Sequence, residues 1–179
     1  MIYEPSDDTY LLIDSLPKNV AGMNVLEVGT GSGIIAEEMV KRGASWVLAT
    51  DLDLEAALSA KSRGLEVIVS DLFSAFNHKA LFDIIIFNPP YLPSDFWSDS
   101  MAWTGGSGGW ELSYKFIMHA KDHLAPKGKI FIVLSSLTCD RVLRACADLG
   151  LSRYEVAFKE FFFEKLCVYE ISRIDSKQE

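Results

Sequence analysis

The chain has 179 residues, of which 49% are hydrophobic, and a formal net charge of −8 from 17 basic and 25 acidic side chains. This length suits one domain with a substantial core, which we expect to span residues 1–172 before a polar tail at 173–179. The acidic balance without a basic stripe argues against direct nucleic-acid binding, and no apolar run approaches the length of a membrane span.

The hydrophobic pattern predicts an alternation of helices and strands. A first helix begins after Ser6, whose side chain suits the N-cap, and Asp7 and Asp8 are favourably placed in its first turn. Five strands and four further helices follow. The strands are predicted near 24–28, 46–50, 66–70, 82–87 and 129–135, and the helices near 33–42, 54–63, 110–124 and 139–149.

The end of the chain changes character. Segments 151–158 and 166–171 predict two antiparallel strands around a turn of three phenylalanines at 161–163. Gly128 and Gly150 are expected to close the last two helices. The strand–helix alternation before this antiparallel pair predicts a doubly wound α/β domain.

A glycine turn follows the first predicted strand. Gly29, Gly31 and Gly33 allow positive φ and close approach of a ligand to the backbone. Their spacing differs from the G-x-G-x-x-G of a pyrophosphate site, and the acidic Glu27 before them also disfavours a phosphate. A carboxylate at that place suits a cationic ligand.

Two more acids end the next two strands. Asp51 lies 22 residues after Gly29, where a carboxylate can chelate the ribose hydroxyls of an adenosine ligand. Asp71, followed by Leu72, ends the third strand and can receive an adenine amino group. A single such acid is usually a cap or a loop residue, but three at successive strand ends indicate a nucleoside pocket.

The fourth strand ends in Asn88-Pro89-Pro90-Tyr91. The prolines stop the sheet ladder because they donate no N–H, which leaves Asn88 and Tyr91 at the carboxyl end of a central strand. The Asn88 carbonyl and a proline carbonyl can accept both hydrogens of a planar NH2 group, and Tyr91 can pack on its face. This tetrapeptide predicts chemistry on an amide or exocyclic amine. Replacing Asn88 by Asp is expected to keep part of the activity, because a carboxylate still accepts.

The histidines and cysteines give weaker evidence of function than these motifs. His119 and His123 have a helical spacing that can bind zinc, but no third ligand is near in sequence, so no metal is predicted. Cys139, Cys146 and Cys167 lack metal-type spacing and indicate reduced thiols, which, with no signal peptide, favours a cytoplasmic protein.

The order of these motifs is similar to that of the class I methyltransferases, and the Asn-Pro-Pro-Tyr sequence places the chain among amino-group methylators. The amino terminus closely resembles the short HemK-like glutamine methyltransferases of eukaryotes and archaea, through Tyr3-Glu4-Pro5-Ser6-Asp7-Asp8-Thr9-Tyr10-Leu11-Leu12. The resemblance continues through Trp103-Thr104-Gly105-Gly106 and Leu124-Ala125-Pro126-Lys127-Gly128, and it covers nearly the whole chain.

The resemblance implies a seven-stranded sheet in the order 3-2-1-4-5-7-6 with an antiparallel last strand. It implies S-adenosylmethionine as cofactor, bound by Thr9, Glu27, Gly29, Gly31, Asp51, Asp71, Leu72 and Asn88. Asn88, Pro89, Pro90 and Tyr91 would bind the substrate, with Asn88, Pro89 and Tyr91 acting in catalysis. Segment 105–109 is expected to be either a loose start of the next helix or a mobile lid over the substrate.

The resemblance also implies a substrate and a partner. The substrate is the glutamine of the Gly-Gly-Gln loop in class 1 peptide-release factors. The partner is a small zinc-binding activator subunit, which the unblunted edge strand at 65–69 can receive. Two alternatives remain open: an adenine-N6 or other amino-group methyltransferase acting on nucleic acid, and a cofactor-binding scaffold in a complex.

Overall fold

A seven-stranded sheet lies at the centre of the computed structural model, which describes residues 3–91 and 108–174. The strands are β1 (Asn24–Val28), β2 (Trp46–Asp51), β3 (Glu66–Val69), β4 (Phe82–Phe87), β5 (Leu124–Ser135), β6 (Leu151–Glu160) and β7 (Lys165–Arg173). The helices are α1 (Asp7–Ser15), α2 (Ile34–Lys41), α3 (Leu54–Ser62), α4 (Glu111–Ala120) and α5 (Cys139–Asp148). Within the described ranges, no helix has the length and apolar character needed to cross a membrane. The predicted lid lies outside them, except for Gly108 and Gly109.

The strand order is β3-β2-β1-β4-β5-β7-β6, which confirms the predicted topology. Strands β1 to β5 run parallel, and β7 is antiparallel to both β5 and β6. Val28 at the end of β1 pairs with Thr50 of β2 and Phe87 of β4. The residues that follow these strands therefore meet at one edge of the sheet, where open α/β sheets bind ligands.

Hydrophobic cores lie on both faces of the sheet. Leu26 and Val28 of β1 point into one core with residues of α4 and α5, whereas Val25 points into the other with residues of α1, α2 and α3. This alternation follows from the two-residue period of a strand. Glu27 shares the face of Val25, so its carboxyl group lies on the side of α2.

The start of β5 corrects the predicted role of Gly128. Helix α4 ends at Ala120, a short 3₁₀ helix covers Lys121–His123, and β5 already begins at Leu124. Gly128 lies inside β5 and does not close a helix. A Cβ there would come within 2.8 Å of the Phe82 carbonyl oxygen, so the close approach of β4 requires glycine. Gly150, with φ of 67°, does close α5 as predicted.

The predicted tail begins too early. Arg173 belongs to β7, where it pairs with Leu151 of β6. Its guanidinium donates to the Lys121 carbonyl oxygen at 2.6 Å and to that of Leu124 at 3.3 Å. These bonds hold residue 173 in the sheet, and residues 175–179 lie outside the described part of the chain.

His123 is a core residue. Its buried ring stacks on Phe73, with centroids 5.0 Å apart and planes 2° from parallel. One ring nitrogen lies 2.9 Å from the Ala80 carbonyl oxygen. Among the residues that the structure describes, no group of three histidine, cysteine or acidic side chains gathers into a metal-binding cluster.

Candidate active site

The glycine turn forms the floor of the site at the carboxyl end of β1. Gly29, Gly31 and Gly33 have φ angles of 65°, 52° and 83°, which side chains rarely adopt. Gly33 is the N-cap of α2, and a Cβ there would come within 3.0 Å of Ala60. The Thr30 N–H donates to the Thr50 carbonyl oxygen at 2.9 Å, which ties the turn to β2.

Glu27 is a buried acid beneath this turn and is only 2% exposed. Its Oε2 accepts from the Thr30 hydroxyl at 2.6 Å and from the Ala36 N–H at 2.9 Å. Burial raises the pKa of Glu27 to about 8, although both hydrogen bonds act in the opposite direction. The free protein therefore holds this carboxyl group largely protonated at neutral pH, and a cation beside it would favour the charged form.

Asp51 is held in place by the backbone. Its Oδ2 accepts from the Gly31 N–H at 2.8 Å, and its Oδ1 accepts from the Asp53 N–H at 2.9 Å. Each carboxylate oxygen has a second lone pair, so the group can still accept two hydroxyl hydrogens. A pair of vicinal ribose hydroxyls has the geometry that this fixed carboxylate suits.

Asp71 and Leu72 follow β3, next to Asp51. The Ser70 N–H donates to the Asp51 carbonyl oxygen at 2.8 Å, which brings these two strand ends together. Asp71 is exposed and forms a 2.9 Å ion pair with Lys115 of α4, a partner that the sequence did not reveal. Leu72 is buried with φ of 49°, an unusual conformation for a non-glycine residue that is frequent at ligand sites.

Asn88 follows β4, and only one of its two side-chain polar atoms has a hydrogen-bond partner among the described residues. Its Nδ2 donates to Asp8 Oδ2 at 3.0 Å. Its Oδ1 is buried, and no donor among the described residues reaches it. Because an ionised Asp8 only accepts, the amide nitrogen must face it and the carbonyl oxygen must face away. Asn88 therefore presents an unsatisfied acceptor, and its binding of an NH2 group stays a prediction.

Asp8 also belongs to the candidate site, although the sequence predicts only that it lies in the first turn of α1. It is 3% exposed, and its carboxylate accepts from the hydroxyls of Tyr3 and Ser6 and from the Thr9 N–H, at 2.6 to 2.8 Å. Burial alone would raise the pKa of Asp8, but these hydrogen bonds and that of Asn88 outweigh it and lower the pKa.

The amino-terminal motif at residues 3–12 is the sequence signal that could have identified Asp8 as a site residue. Thr9, predicted to touch the cofactor, is buried beside Asp8, and its hydroxyl donates to Asp8 Oδ1 at 3.3 Å. The structure thus brings α1 against the end of β4, although Asp8 and Asn88 are 80 residues apart.

Tyr91 and the prolines complete the wall beside Asn88. Strand β4 ends at Phe87, directly before Asn88 and the two prolines. Pro89 is buried, and Tyr91 is half-buried against the core that contains α1. Burial raises the pKa of Tyr91, and the charges of Asp8 and Glu164 add to the effect. Its ring is therefore a neutral apolar face.

A sheet of this order, with an acid at the end of each of its first three strands, is the fold of the class I methyltransferases, which use S-adenosylmethionine. The model of the methyltransferase small domain family matches residues 5–149. The chain belongs to that family, and its relatives place it with the HemK-like methyltransferases.

Three relatives illustrate this placement. A Methanocaldococcus jannaschii protein, provisionally named a protein N5-glutamine methyltransferase, is 34% identical over 97% of this chain and 92% of its own length. The mouse methyltransferase HEMK2 is 33% identical over 96% of this chain and 90% of its own. The E. cuniculi Mtq2–Trm112 complex, described as responsible for methylating the translation termination factor eRF1, contains a chain that superimposes with a TM-score of 0.81. That chain is 27% identical, with 97% of this chain and 99% of that chain covered.

The residues present fit S-adenosylmethionine. The glycine turn leaves its backbone accessible, Asp51 suits the ribose, and Glu27 suits the cationic methionine end. The unsatisfied Asn88 Oδ1 is an acceptor of the kind that an incoming NH2 group would need. Thr9, Glu27, Gly29, Gly31, Asp51, Asp71, Leu72 and Asn88 are the proposed cofactor contacts.

Cofactor binding is expected to release a proton from Glu27. A cation near this group lowers its pKa from about 8, so binding at neutral pH removes about one proton. The affinity should therefore increase by roughly tenfold between about pH 7 and pH 9 and level off above. Titration calorimetry in buffers of different ionisation enthalpy measures the protons released.

Two variants make this test specific. Glu27→Gln should bind the cofactor more weakly and lose the proton release. Asp51→Ala should lose about 1.5–3 kcal/mol of binding free energy, the scale of hydrogen bonds to a charged group, but keep the release. Equal proton release by wild-type protein and Glu27→Gln would assign the titration to another group.

Proposed function

We propose that this enzyme methylates the side-chain amide nitrogen of a glutamine, in the Gly-Gly-Gln loop of a class 1 peptide-release factor. The observation that carries the proposal is the buried Asn88 Oδ1, which no described donor satisfies and which Asp8 turns away from itself. Leaving a buried acceptor unpaired costs about 1–3 kcal/mol, so the site is built for a donor that arrives with the substrate. Such a substrate would place the activity in the cytoplasm.

The residues of the site act mainly by position. Asn88 Oδ1 accepts one amide hydrogen, a carbonyl of Pro89 or Pro90 accepts the other, and Tyr91 packs on the amide plane. S-adenosylmethionine supplies, when bound, a methyl group already activated on a sulfonium. The chain therefore needs no strong base before attack: Asn88, a proline carbonyl and Tyr91 would hold the amide nitrogen towards that methyl group, and the extra proton would leave to water. Holding a weak nucleophile in line is worth several orders of magnitude in rate.

The relatives support the choice of substrate. The Methanocaldococcus protein carries a glutamine methyltransferase name, and the E. cuniculi complex is described with eRF1. The net charge of −8 favours a protein over a polyanion as substrate.

Mass spectrometry tests the proposal directly. The protein, alone and with an activator subunit, is incubated with labelled S-adenosylmethionine and a release factor. We expect one added methyl on the Gly-Gly-Gln glutamine, and none when that glutamine is replaced by glutamate, which has no amide nitrogen. Label on adenine in an oligonucleotide, with salt-sensitive binding and an unmodified release factor, would support the nucleic-acid alternative instead.

We also propose that a small zinc-binding activator subunit binds the edge of β3. This strand is the outermost on its side of the sheet, and Ile68 and Val69 are 37% and 49% exposed. An unpaired apolar edge can take a further strand from a partner. The E. cuniculi relative was solved as a complex with Trm112, in agreement with such a partner.

Val69→Lys is expected to abolish co-purification with the activator, because it places a charge in the proposed interface. Val67 is a poorer choice because it packs against the core. Tyr154→Lys on β6, the opposite edge strand, is the matched control: this side chain is 64% exposed and should tolerate lysine with the complex intact. Equal co-purification of both variants would place the activator elsewhere.

A further inference from the structure

Three consecutive phenylalanines form the turn between β6 and β7. Phe161, Phe162 and Phe163, here called the aromatic tip, are 40%, 93% and 83% exposed. Exposed single hydrophobic side chains are ordinary on a protein surface, but a contiguous patch of large rings indicates an interaction site. None of these three rings belongs to either hydrophobic core of the sheet.

The aromatic tip has a defined conformation. The Phe161 N–H donates to the Glu164 carbonyl oxygen at 2.8 Å, which closes the turn. The rings of Phe162 and Phe163 contact edge to face, with centroids 4.7 Å apart. The Lys159 ammonium lies 5.6 Å from the centre of the Phe161 ring. Ordered aromatic rings lose little entropy when a partner covers them, so such a patch is suited to binding.

Two contacts place the aromatic tip beside the active site. On one side, Lys159 forms a 2.8 Å ion pair with Asp7, the neighbour of Asp8 in α1. On the other, Glu164 Oε2 accepts from the Ser135 hydroxyl at 2.6 Å, at the carboxyl end of β5. The charge of Glu164 also acts on the Tyr91 hydroxyl. The aromatic tip thus lies at the rim of the site, between α1 and the carboxyl ends of the parallel strands.

We propose that the aromatic tip is a docking surface for the protein substrate, which it contacts outside the loop that carries the target amide. This inference rests on the proposed function. A folded protein that delivers a side chain to Asn88 must cover the rim of the site, and the tip is part of that rim. The activator is proposed to bind β3, whereas the aromatic tip follows β6. These are the two outermost strands of the sheet, so one partner does not need to cover both regions.

The test compares a protein substrate with a short peptide that contains Gly-Gly-Gln. The double variant Phe162→Ala/Phe163→Ala should raise KM for the release factor about tenfold or more, as expected for the loss of aromatic anchors. Its kcat on the release factor, its cofactor affinity and its kcat/KM on the peptide should match those of wild type. Tyr154→Ala, which removes an exposed ring from the body of β6, is the matched control and should leave all of these values unchanged.

Each other outcome counts against the docking surface. An unchanged KM for the release factor would overturn it, and an equal loss on protein and peptide would assign the rings a structural role. Loss of activator binding with KM unaffected would show that the tip binds the activator. Weaker self-association than wild type with KM unaffected would show that it binds a second copy of the chain. If wild type methylates neither substrate, the proposed function fails and the docking surface with it. If wild type methylates both substrates and the double variant has the same KM and kcat as wild type on each, the docking surface alone fails.

Discussion

Asn88→Ala is expected to lower kcat by about 10²-fold or more while cofactor affinity changes little. The variant removes the acceptor that aligns the amide nitrogen, and loss of one preorganised partner at a reacting group has this scale. Since Asn88 also touches the proposed cofactor site, a modest change in the dissociation constant is compatible. Single-turnover methylation of the release factor gives the rate, and calorimetry gives the affinity.

A control substitution at a second asparagine distinguishes this effect from a general loss of folding. Asn77 lies before the amino end of the same strand, β4, and is exposed. Asn77→Ala should therefore leave kcat unchanged. Near-normal kcat for a folded Asn88→Ala would mean that Asn88-Pro89-Pro90-Tyr91 serves only as a turn.

The structure reverses one expectation for the same residue. From the sequence, Asn88→Asp should keep part of the activity because its carboxylate still accepts. In the structure, the group that faces Asp8 at 3.0 Å must be a donor. A second carboxylate would face the first at this distance, and the two like charges would displace each other or hold a proton between them. We therefore expect Asn88→Asp to be as inactive as Asn88→Ala.

Much of the fold could be predicted because its signals are local. Short segments rich in apolar residues marked β1, β2 and β4, and Gly150 marked the end of α5. The start of β5 could not be read in this way. Residues 121–128 have no clear hydrophobic period, and the chain becomes a strand from Leu124 because Phe82 of β4 pairs with it there.

The residues of the candidate site also differ in whether local sequence predicts them. Glu27 and Asp51 could be predicted because each lies at the carboxyl end of a strand, and strand ends of a parallel sheet meet. The ion pair of Asp71 with Lys115 and the burial of Asp8 depend on helices that pack across the sheet, and no local spacing encodes such contacts. Asp8 in particular has the pattern of an ordinary first-turn acid until α1 is placed against β4.

Asp8→Asn is expected to lower kcat roughly tenfold or more, with KM for the cofactor almost unchanged. Asp8 has no proposed contact with the reacting atoms; it fixes the orientation of the Asn88 amide. An asparagine at position 8 would have to present an NH2 group to some of the donors of Tyr3, Ser6 and Thr9, and it would no longer force Asn88 Nδ2 to face it. Hydrogen bonds to a buried charge are worth about 1.5–3 kcal/mol, which sets the size of the effect.

Asp7→Asn provides the matched control, since it makes the same change of charge one residue earlier. Asp7 is exposed and contacts Lys159, not Asn88, so kcat on a short peptide substrate should remain that of wild type.

A double-mutant cycle distinguishes positioning from a structural role. If Asp8 acts through Asn88, then Asp8→Asn should lower the residual rate of Asn88→Ala by less than about twofold, because the amide that it orients is already absent. If Asp8 mainly stabilises the start of α1, the same substitution should reduce the rate by the same factor in both backgrounds and lower the melting temperature in parallel. The two losses measured on one peptide substrate decide between these roles, and equal factors would contradict the positioning of Asn88 by Asp8.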